Sequence, residues 1–117
     1  MSLTSIIYDK NPIEAAHLSL MLKRKGQEVI TAKDEGHFFA LLKRKKVNCI
    51  LIDENATDIH KVLKKIPEER HHQTKIIMMT SYSLNQIRNA YEEKGVNCCI
   101  QKPIYQSNLT DVFDKIG

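Results

Sequence analysis

Short apolar runs alternate along the chain with longer segments in which apolar residues recur at helical spacing. The short runs cover Ser5–Tyr8, Glu28–Ala32, Cys49–Ile52, Lys75–Thr80 and Val96–Gln101. Runs of this length suit strands, whereas the segments that follow them repeat with the period of a helix. The pattern therefore predicts five strands that alternate with five helices.

Polar and small residues mark where the predicted helices begin and end. The predicted N-caps are Asn11, Thr57 and Ser83, and the predicted stops are Gly26, Pro67 and Gly95. Asn11 is followed by Pro12 at the first helical position and by Glu14 at the spacing of a capping box. Ser83 also begins a capping box. The last helix is predicted from about Ser107 to Ile116.

The alternation of strands and helices implies right-handed crossovers, a parallel sheet and helices on both of its faces. With 117 residues and no internal linker or repeat, residues 1–117 are expected to form one α/β domain. Cys49–Ile52 is apolar at every position, as in a central strand covered on both faces. It delivers Asp53 to the edge where ligands gather in such sheets, although Asp53 could equally cap the next helix.

Composition and charge narrow the class of protein. The chain is 42% hydrophobic and 27% charged, and it has neither an apolar run long enough for a membrane nor a signal peptide, so a cytoplasmic protein is expected. The net charge of +4 comes partly from basic runs at residues 23–25 and 43–46. Both runs close predicted helices at the sheet edge opposite Asp53, so neither membrane nor direct nucleic-acid binding is predicted.

The three cysteines lie in apolar strand-like stretches and not at metal-ligand spacing. Cys49, Cys98 and Cys99 are expected to be buried, reduced thiols. Adjacent Cys98 and Cys99 should point to opposite faces of a strand, which argues against joint chelation. The pair at residues 71–72, two histidines in a polar connection, is interpreted as a solvated loop.

Polar residues follow four of the five predicted strands. These are Asp9-Lys10, Asp53, Thr80 and Lys102. A parallel sheet brings such strand ends to one edge, where carboxylates, a hydroxyl and an ammonium can converge. This combination suits a phosphoryl group, with one acid as acceptor, another for a divalent cation, and a donor and a cation for the phosphate oxygens.

From the stretch Ile6-Ile7-Tyr8-Asp9-Lys10-Asn11-Pro12 to the final helix, the chain resembles a receiver domain of bacterial two-component response regulators. The resemblance implies the flavodoxin-like (βα)5 fold that the chemotaxis regulator shares. It makes Asp53, in Ile50-Leu51-Ile52-Asp53, the phosphoacceptor. Thr80 then matches the hydroxyl that reports the phosphate, and Lys102, before Pro103, matches a lysine whose following peptide bond is usually cis. The implied ligands of Mg²⁺ are Asp9, Asp53 and the backbone carbonyl of Asn55.

Two positions depart from the receiver pattern. Lys10 replaces the second acid after the first strand, the acid that usually contacts Mg²⁺ directly. Its ammonium is expected either to face solvent or to lie near Asp53, and Glu54 is a candidate for the missing acid. Cys99 stands where an aromatic switch residue is common.

The function implied by the resemblance is phosphorelay signalling without a conventional enzyme activity, although receivers promote their own phosphoryl transfer and dephosphorylation. Asp53 is expected to accept a phosphoryl group from a histidine kinase or phosphotransfer protein and to alter binding to a downstream effector. The face made by the fourth helix, fifth strand and fifth helix is the candidate surface for partners or a homodimer. The alternative is a pseudo-receiver that binds partners without phosphorylation and with weak or no Mg²⁺ binding, which Lys10 favours. A flavodoxin-like ligand-binding protein is disfavoured because no Gly-rich phosphate loop follows the first strand.

Overall fold

A computed structural model describes residues 3–44, 46–66 and 73–116, apart from the side chains of residues 86–89 and 116. The strands are β1 (Thr4–Tyr8), β2 (Glu28–Thr31), β3 (Cys49–Asp53), β4 (Lys75–Thr80) and β5 (Cys98–Gln101). The helices are α1 (Pro12–Arg24), α2 (Glu35–Arg44), α3 (Ile59–Lys65), α4 (Leu84–Glu93) and α5 (Gln106–Ile116). All strands pair in parallel, in the order β2-β1-β3-β4-β5. The predicted α/β architecture is confirmed.

The central strand β3 lies between β1 and β4, and all five of its residues are buried. Ile50 and Ile52 belong to the core on one face of the sheet, whereas Cys49 and Leu51 belong to the core on the other. Burial of each of the two isoleucine side chains and of the leucine side chain contributes roughly 1.5–3 kcal/mol. Packing on both faces therefore fixes the strand that carries Asp53 to the carboxyl edge.

The helices cover both faces of the sheet. Leu18 of α1 and Leu109 of α5 pack in one core, whereas Phe38 of α2 and Val62 of α3 pack in the other. Partly buried Leu84 of α4 packs against the second core. No helix in the described ranges combines the length and apolar character needed to cross a membrane.

The expectations for the cysteines are confirmed. All three thiols are buried and none forms a disulfide, and Cys98 and Cys99 fall in the cores on opposite faces. Burial raises the pKa of the Cys49 thiol to about 12. The thiols are therefore packing groups and not nucleophiles.

One of the predicted helix starts is wrong by one residue. Asp58, not Thr57, is the N-cap of α3, where its side chain accepts a hydrogen bond from the His60 N–H. The Thr57 hydroxyl instead donates to Glu35 of α2. Ser83 is the N-cap of α4 as predicted, although its side chain makes no capping hydrogen bond.

The remaining predicted helix ends have mixed outcomes. Asn11 caps α1 as predicted, since its side-chain oxygen accepts hydrogen bonds from the N–H groups of Ile13 and Glu14. Gly26 and Gly95 follow α1 and α4 with φ values of 82° and 107°, a conformation that favours glycine. The predicted stop at Pro67 and the histidine pair at residues 71–72 lie outside the described residues.

Candidate functional site

Four of the predicted site residues meet at the carboxyl edge of the sheet. Asp9 directly follows β1, Asp53 and Thr80 end β3 and β4, and Lys102 directly follows β5. Asp53 pairs in register with Met79 of the neighbouring strand. The parallel register thus brings residues distant in sequence into one cleft.

The ammonium of Lys102 is the centre of this cleft. Its Nζ lies 2.7 Å from Asp53 Oδ1, 3.0 Å from Asp9 Oδ2 and 2.6 Å from Glu14 Oε2. Its backbone N–H donates to the Thr80 carbonyl at 2.7 Å, which ties the end of β5 to β4. One cation therefore bonds to carboxylates from β1, α1 and β3.

The side chain of Lys102 is only 14% exposed, so its charge depends on these partners. Burial lowers the pKa of the ammonium, but the hydrogen bonds that it donates to Asp53, Glu14 and Asp9 outweigh burial and raise the pKa above its ordinary value of 10.5. The side chain is therefore a cation at neutral pH. The peptide bond between Lys102 and Pro103 is cis, as the resemblance implies.

The two buried carboxylates are held at both oxygens. Asp53 Oδ2 accepts a hydrogen bond from the Asn55 N–H at 3.1 Å, and Asp9 Oδ1 accepts one from the Asn11 N–H at 2.9 Å. Their other oxygens bond to Lys102. The Asp53 side chain is nevertheless 12% exposed, whereas that of Asp9 is 4% exposed. Asp53 is thus oriented by the fold and still open to an incoming group.

The sequence analysis missed Glu14 as a residue of this cleft. It assigned Glu14 to a capping box, but the Glu14 carboxylate bonds to Lys102, and Asp9 instead accepts from the Asn11 N–H. The hydrogen bond to Lys102 lowers the pKa of Glu14, even though the nearby Asp53 carboxylate acts in the opposite direction. The topology could have indicated that Glu14 belongs to the cleft, because a side chain in the first turn of α1 lies at the carboxyl edge of β1.

Lys10 and Glu54 take no part in the charged cluster. The Lys10 side chain is exposed and makes no salt bridge to any described residue. Of the two placements that the sequence left open for its ammonium, this is the one that faces solvent. Glu54 follows Asp53, but its negative charge acts on Tyr91 of α4, whose pKa is raised mainly by burial and further by Glu54. The third acid that contacts Lys102, besides Asp9 and Asp53, is therefore Glu14.

Thr80 ends β4 at the carboxyl edge of the sheet, whereas Cys99 belongs to the hydrophobic core. Thr80 is fully buried, and its hydroxyl oxygen accepts a hydrogen bond from the Tyr82 N–H at 3.0 Å. Cys99 is buried on β5, in the core against which Tyr91 packs. The aromatic ring of Tyr91 thus packs against this core from α4, whereas β5 supplies Cys99.

Comparison with protein families decides what kind of domain carries this cleft. The family model of the response regulator receiver domain matches residues 6–114. This chain belongs to the receiver domain family. Receiver domains act in two-component phosphorelay signalling, interact with histidine kinases or phosphotransfer proteins and with effectors, and are generally not classical enzymes.

Solved receiver structures share the fold at low sequence identity. The chemotaxis response regulator CheY4 of Vibrio cholerae is 19% identical, with 100% of each chain covered and a TM-score of 0.85. The receiver domain of the sensor histidine kinase PA1611 from Pseudomonas aeruginosa, solved with a magnesium ion in the active site cleft, is 21% identical, with 100% of this receiver and 99% of that chain covered and a TM-score of 0.80. A Burkholderia pseudomallei response regulator with a phosphorylated aspartic acid is 19% identical, with 95% of this receiver and 66% of that chain covered and a TM-score of 0.77. A comparison with curated proteins found no match.

Receiver domains typically bind Mg²⁺ in this cleft. The candidate ligands in this receiver are the carboxylates of Asp9 and Asp53 and the carbonyl of Asn55. The space between the two carboxylates is bridged by the Lys102 ammonium, and exposed Lys10 adds a positive charge nearby. Among the described residues, no group of three acidic, histidine or cysteine side chains is placed to hold a metal. The side chains as arranged fit an ammonium and not a divalent cation.

Proposed function

We propose that residues 1–117 form a single receiver domain that acts in a cytoplasmic phosphorelay, in which Asp53 accepts a phosphoryl group from a histidine kinase or phosphotransfer protein. The observation that carries the proposal is the environment of Asp53. One of its oxygens bonds to the Lys102 ammonium, the other accepts from the Asn55 N–H, and the side chain remains 12% exposed. A carboxylate that is fixed and reachable supports attack on an incoming phosphorus atom.

The transfer step follows from the groups around Asp53. A carboxylate oxygen of Asp53 forms a bond to phosphorus as the phosphorus–nitrogen bond of the donor phosphohistidine breaks, and the electron pair returns to the imidazole nitrogen. The product is an acyl phosphate. Lys102, already 2.7 Å from Asp53, offsets the charge of the phosphate oxygens, and Thr80 offers a hydroxyl from the neighbouring strand.

Phosphorylation then changes partner binding through Thr80. Its hydroxyl oxygen accepts from the Tyr82 N–H, just before α4 begins. A hydroxyl that turns to the phosphate changes this contact and shifts the population of arrangements of the segment before α4. The face made by α4, β5 and α5 is therefore proposed to bind the effector or a second copy of the chain.

A pseudo-receiver is the second candidate, and one observation favours it. Lys102 already bonds to the carboxylates of Asp9, Glu14 and Asp53, and Lys10 stands where receivers normally place a second acid. In that function the cleft has a structural role, and partner binding does not depend on phosphate.

The two candidates are separated by incubating the protein with a small phosphodonor, with and without Mg²⁺, and measuring its mass. Phosphoryl acceptance predicts a gain of one phosphoryl group that survives acid and is lost in base, and Asp53→Asn abolishes the gain. Asp58→Asn is the matched control, because Asp58 is exposed on the same loop and Asn also caps a helix. If the wild type gains no mass under any condition, Asp53 is not a phosphoacceptor and the pseudo-receiver stands.

A further inference from the structure

One ammonium and three carboxylates form the most concentrated group of charges in the described part of the cleft. The carboxylates of Asp9, Glu14 and Asp53 lie 3.0, 2.6 and 2.7 Å from Lys102 Nζ. An ammonium has three N–H donors, so each carboxylate can accept one of them. Lys102 is therefore fully engaged by acids from three separate elements.

This arrangement meets an electrostatic need of the cleft. Carboxylates gathered at low exposure repel one another unless a cation lies between them. The Asp9 and Asp53 side chains are 4% and 12% exposed, and Lys102 is the cation that contacts both. We propose that the Lys102 ammonium is the resident cation of this cleft, and that Glu14 is a positioning residue that holds it between Asp9 and Asp53.

The placement of Glu14 supports this role. It lies in the first turn of α1, which is fixed by the Asn11 cap, so its carboxylate reaches the ammonium from a helix, whereas that of Asp53 comes from the end of β3. The Glu14 side chain is 46% exposed, and its contact with Lys102 is the shortest of the three. Glu54, adjacent to Asp53, makes no contact with Lys102. Glu14 thus supplies a third carboxylate from α1, while Lys10 is exposed to solvent.

A divalent cation then competes with Lys102 for the carboxylates of Asp9 and Asp53. Removal of the ammonium leaves these carboxylates and that of Glu14 without their shared cation, and hard carboxylate oxygens attract a divalent cation. Metal affinity should therefore rise when Lys102 loses its charge, and it should fall again when Glu14 is also neutralised. This inference concerns the site of the proposed function, but metal binding can be measured without any phosphoryl transfer.

The test is a titration with Mn²⁺, followed by the electron paramagnetic resonance signal of the free ion. The variants are wild type, Lys102→Met, Lys102→Met with Glu14→Gln, and Lys102→Met with Glu54→Gln as the matched control. Lys102→Met should bind Mn²⁺ more tightly than wild type by on the order of tenfold, and adding Glu14→Gln should remove most of that gain. Adding Glu54→Gln should leave the gain in Mn²⁺ affinity unchanged. Equal affinity of wild type and Lys102→Met, or equal effects of the two glutamate changes, overturns the inference.

A second measurement uses only variants that keep Lys102. The ¹⁵N resonance of Lys102 Nζ reports the ammonium directly, and hydrogen exchange of its protons should be slow in the wild type. Glu14→Gln should speed this exchange severalfold, whereas Glu54→Gln should leave it unchanged. Fast exchange in the wild type contradicts a resident cation even if Lys102→Met fails to fold. Failure of phosphoryl transfer to Asp53 affects neither the Mn²⁺ titration nor the hydrogen exchange of Lys102. The role of Glu14 and the role of Asp53 as phosphoacceptor can therefore be tested independently.

Discussion

The two sides of the cleft are built from different chemistry. On the side of α1 and β5, the ammonium of Lys102 bonds to Asp9 and Glu14. On the side of β4 and α4, Thr80 accepts from a backbone N–H and Glu54 lies near Tyr91. The first side is held by strong contacts between charged groups, whereas the Thr80 hydroxyl on the second side makes a contact between neutral groups.

Asp53 lies between these two sides and contacts only the first through its side chain. Its oxygens bond to Lys102 and to the Asn55 N–H, whereas the Thr80 hydroxyl oxygen accepts from Tyr82. The ammonium side therefore orients Asp53 in the unmodified protein. The hydroxyl side is left to respond when a phosphoryl group arrives.

The largest effect is expected from Lys102→Met, which removes the cation from the ammonium side. Three carboxylates then lack a partner, and we expect the free energy of unfolding to fall by about 2 kcal/mol, less than for a fully buried ion pair because solvent reaches Glu14. Urea unfolding followed by circular dichroism measures the change. Lys115→Met, at an exposed position of α5, is the control and should change stability little. Equal stability of Lys102→Met and wild type contradicts a structural role for the ammonium.

A smaller effect is expected from Thr80→Val, which acts on the hydroxyl side alone. Valine keeps the shape but removes the oxygen that accepts from the Tyr82 N–H, so stability should fall by about 1 kcal/mol. Thr31→Val is the control, since Thr31 also ends a strand but is exposed. The Lys102 Nζ resonance should stay in place in Thr80→Val. A large shift of that resonance means that the two sides are not independent.

The alternation of apolar strands and amphipathic segments was sufficient to predict the sheet, the helices on both faces and the strand ends that form the cleft. Helix starts were less predictable, because Thr57 and Asp58 are both good N-caps and the choice depends on Glu35 of a different helix. Competition of this kind is settled by tertiary contacts that no local pattern contains.

The predicted site was incomplete for a related reason. The strand-end rule finds Asp9, Asp53 and Lys102, but Glu14 reaches the cleft from a helix. Its local sequence context, three residues after an N-cap, predicts a bond to the backbone. The ion pair with Lys102 is stronger than that bond, and only the topology places the two side chains together.

The smallest effect is expected from Glu14→Gln, compared with the same change at Glu54. Because the fold lowers the pKa of Glu14, through Lys102 first, the ionised carboxylate stabilises the native state above its ordinary pKa of 4.5, and this contribution is lost as the pH falls through the lowered value. Glu14→Gln should therefore reduce stability by about 0.5 kcal/mol at neutral pH, and the difference from wild type should vanish in acid. Glu54→Gln should change stability little at neutral pH, since Glu54 does not contact the ammonium. Urea unfolding of both variants across this pH range measures the contrast. If the two glutamates behave alike, the charge of the cleft is not concentrated on the ammonium side.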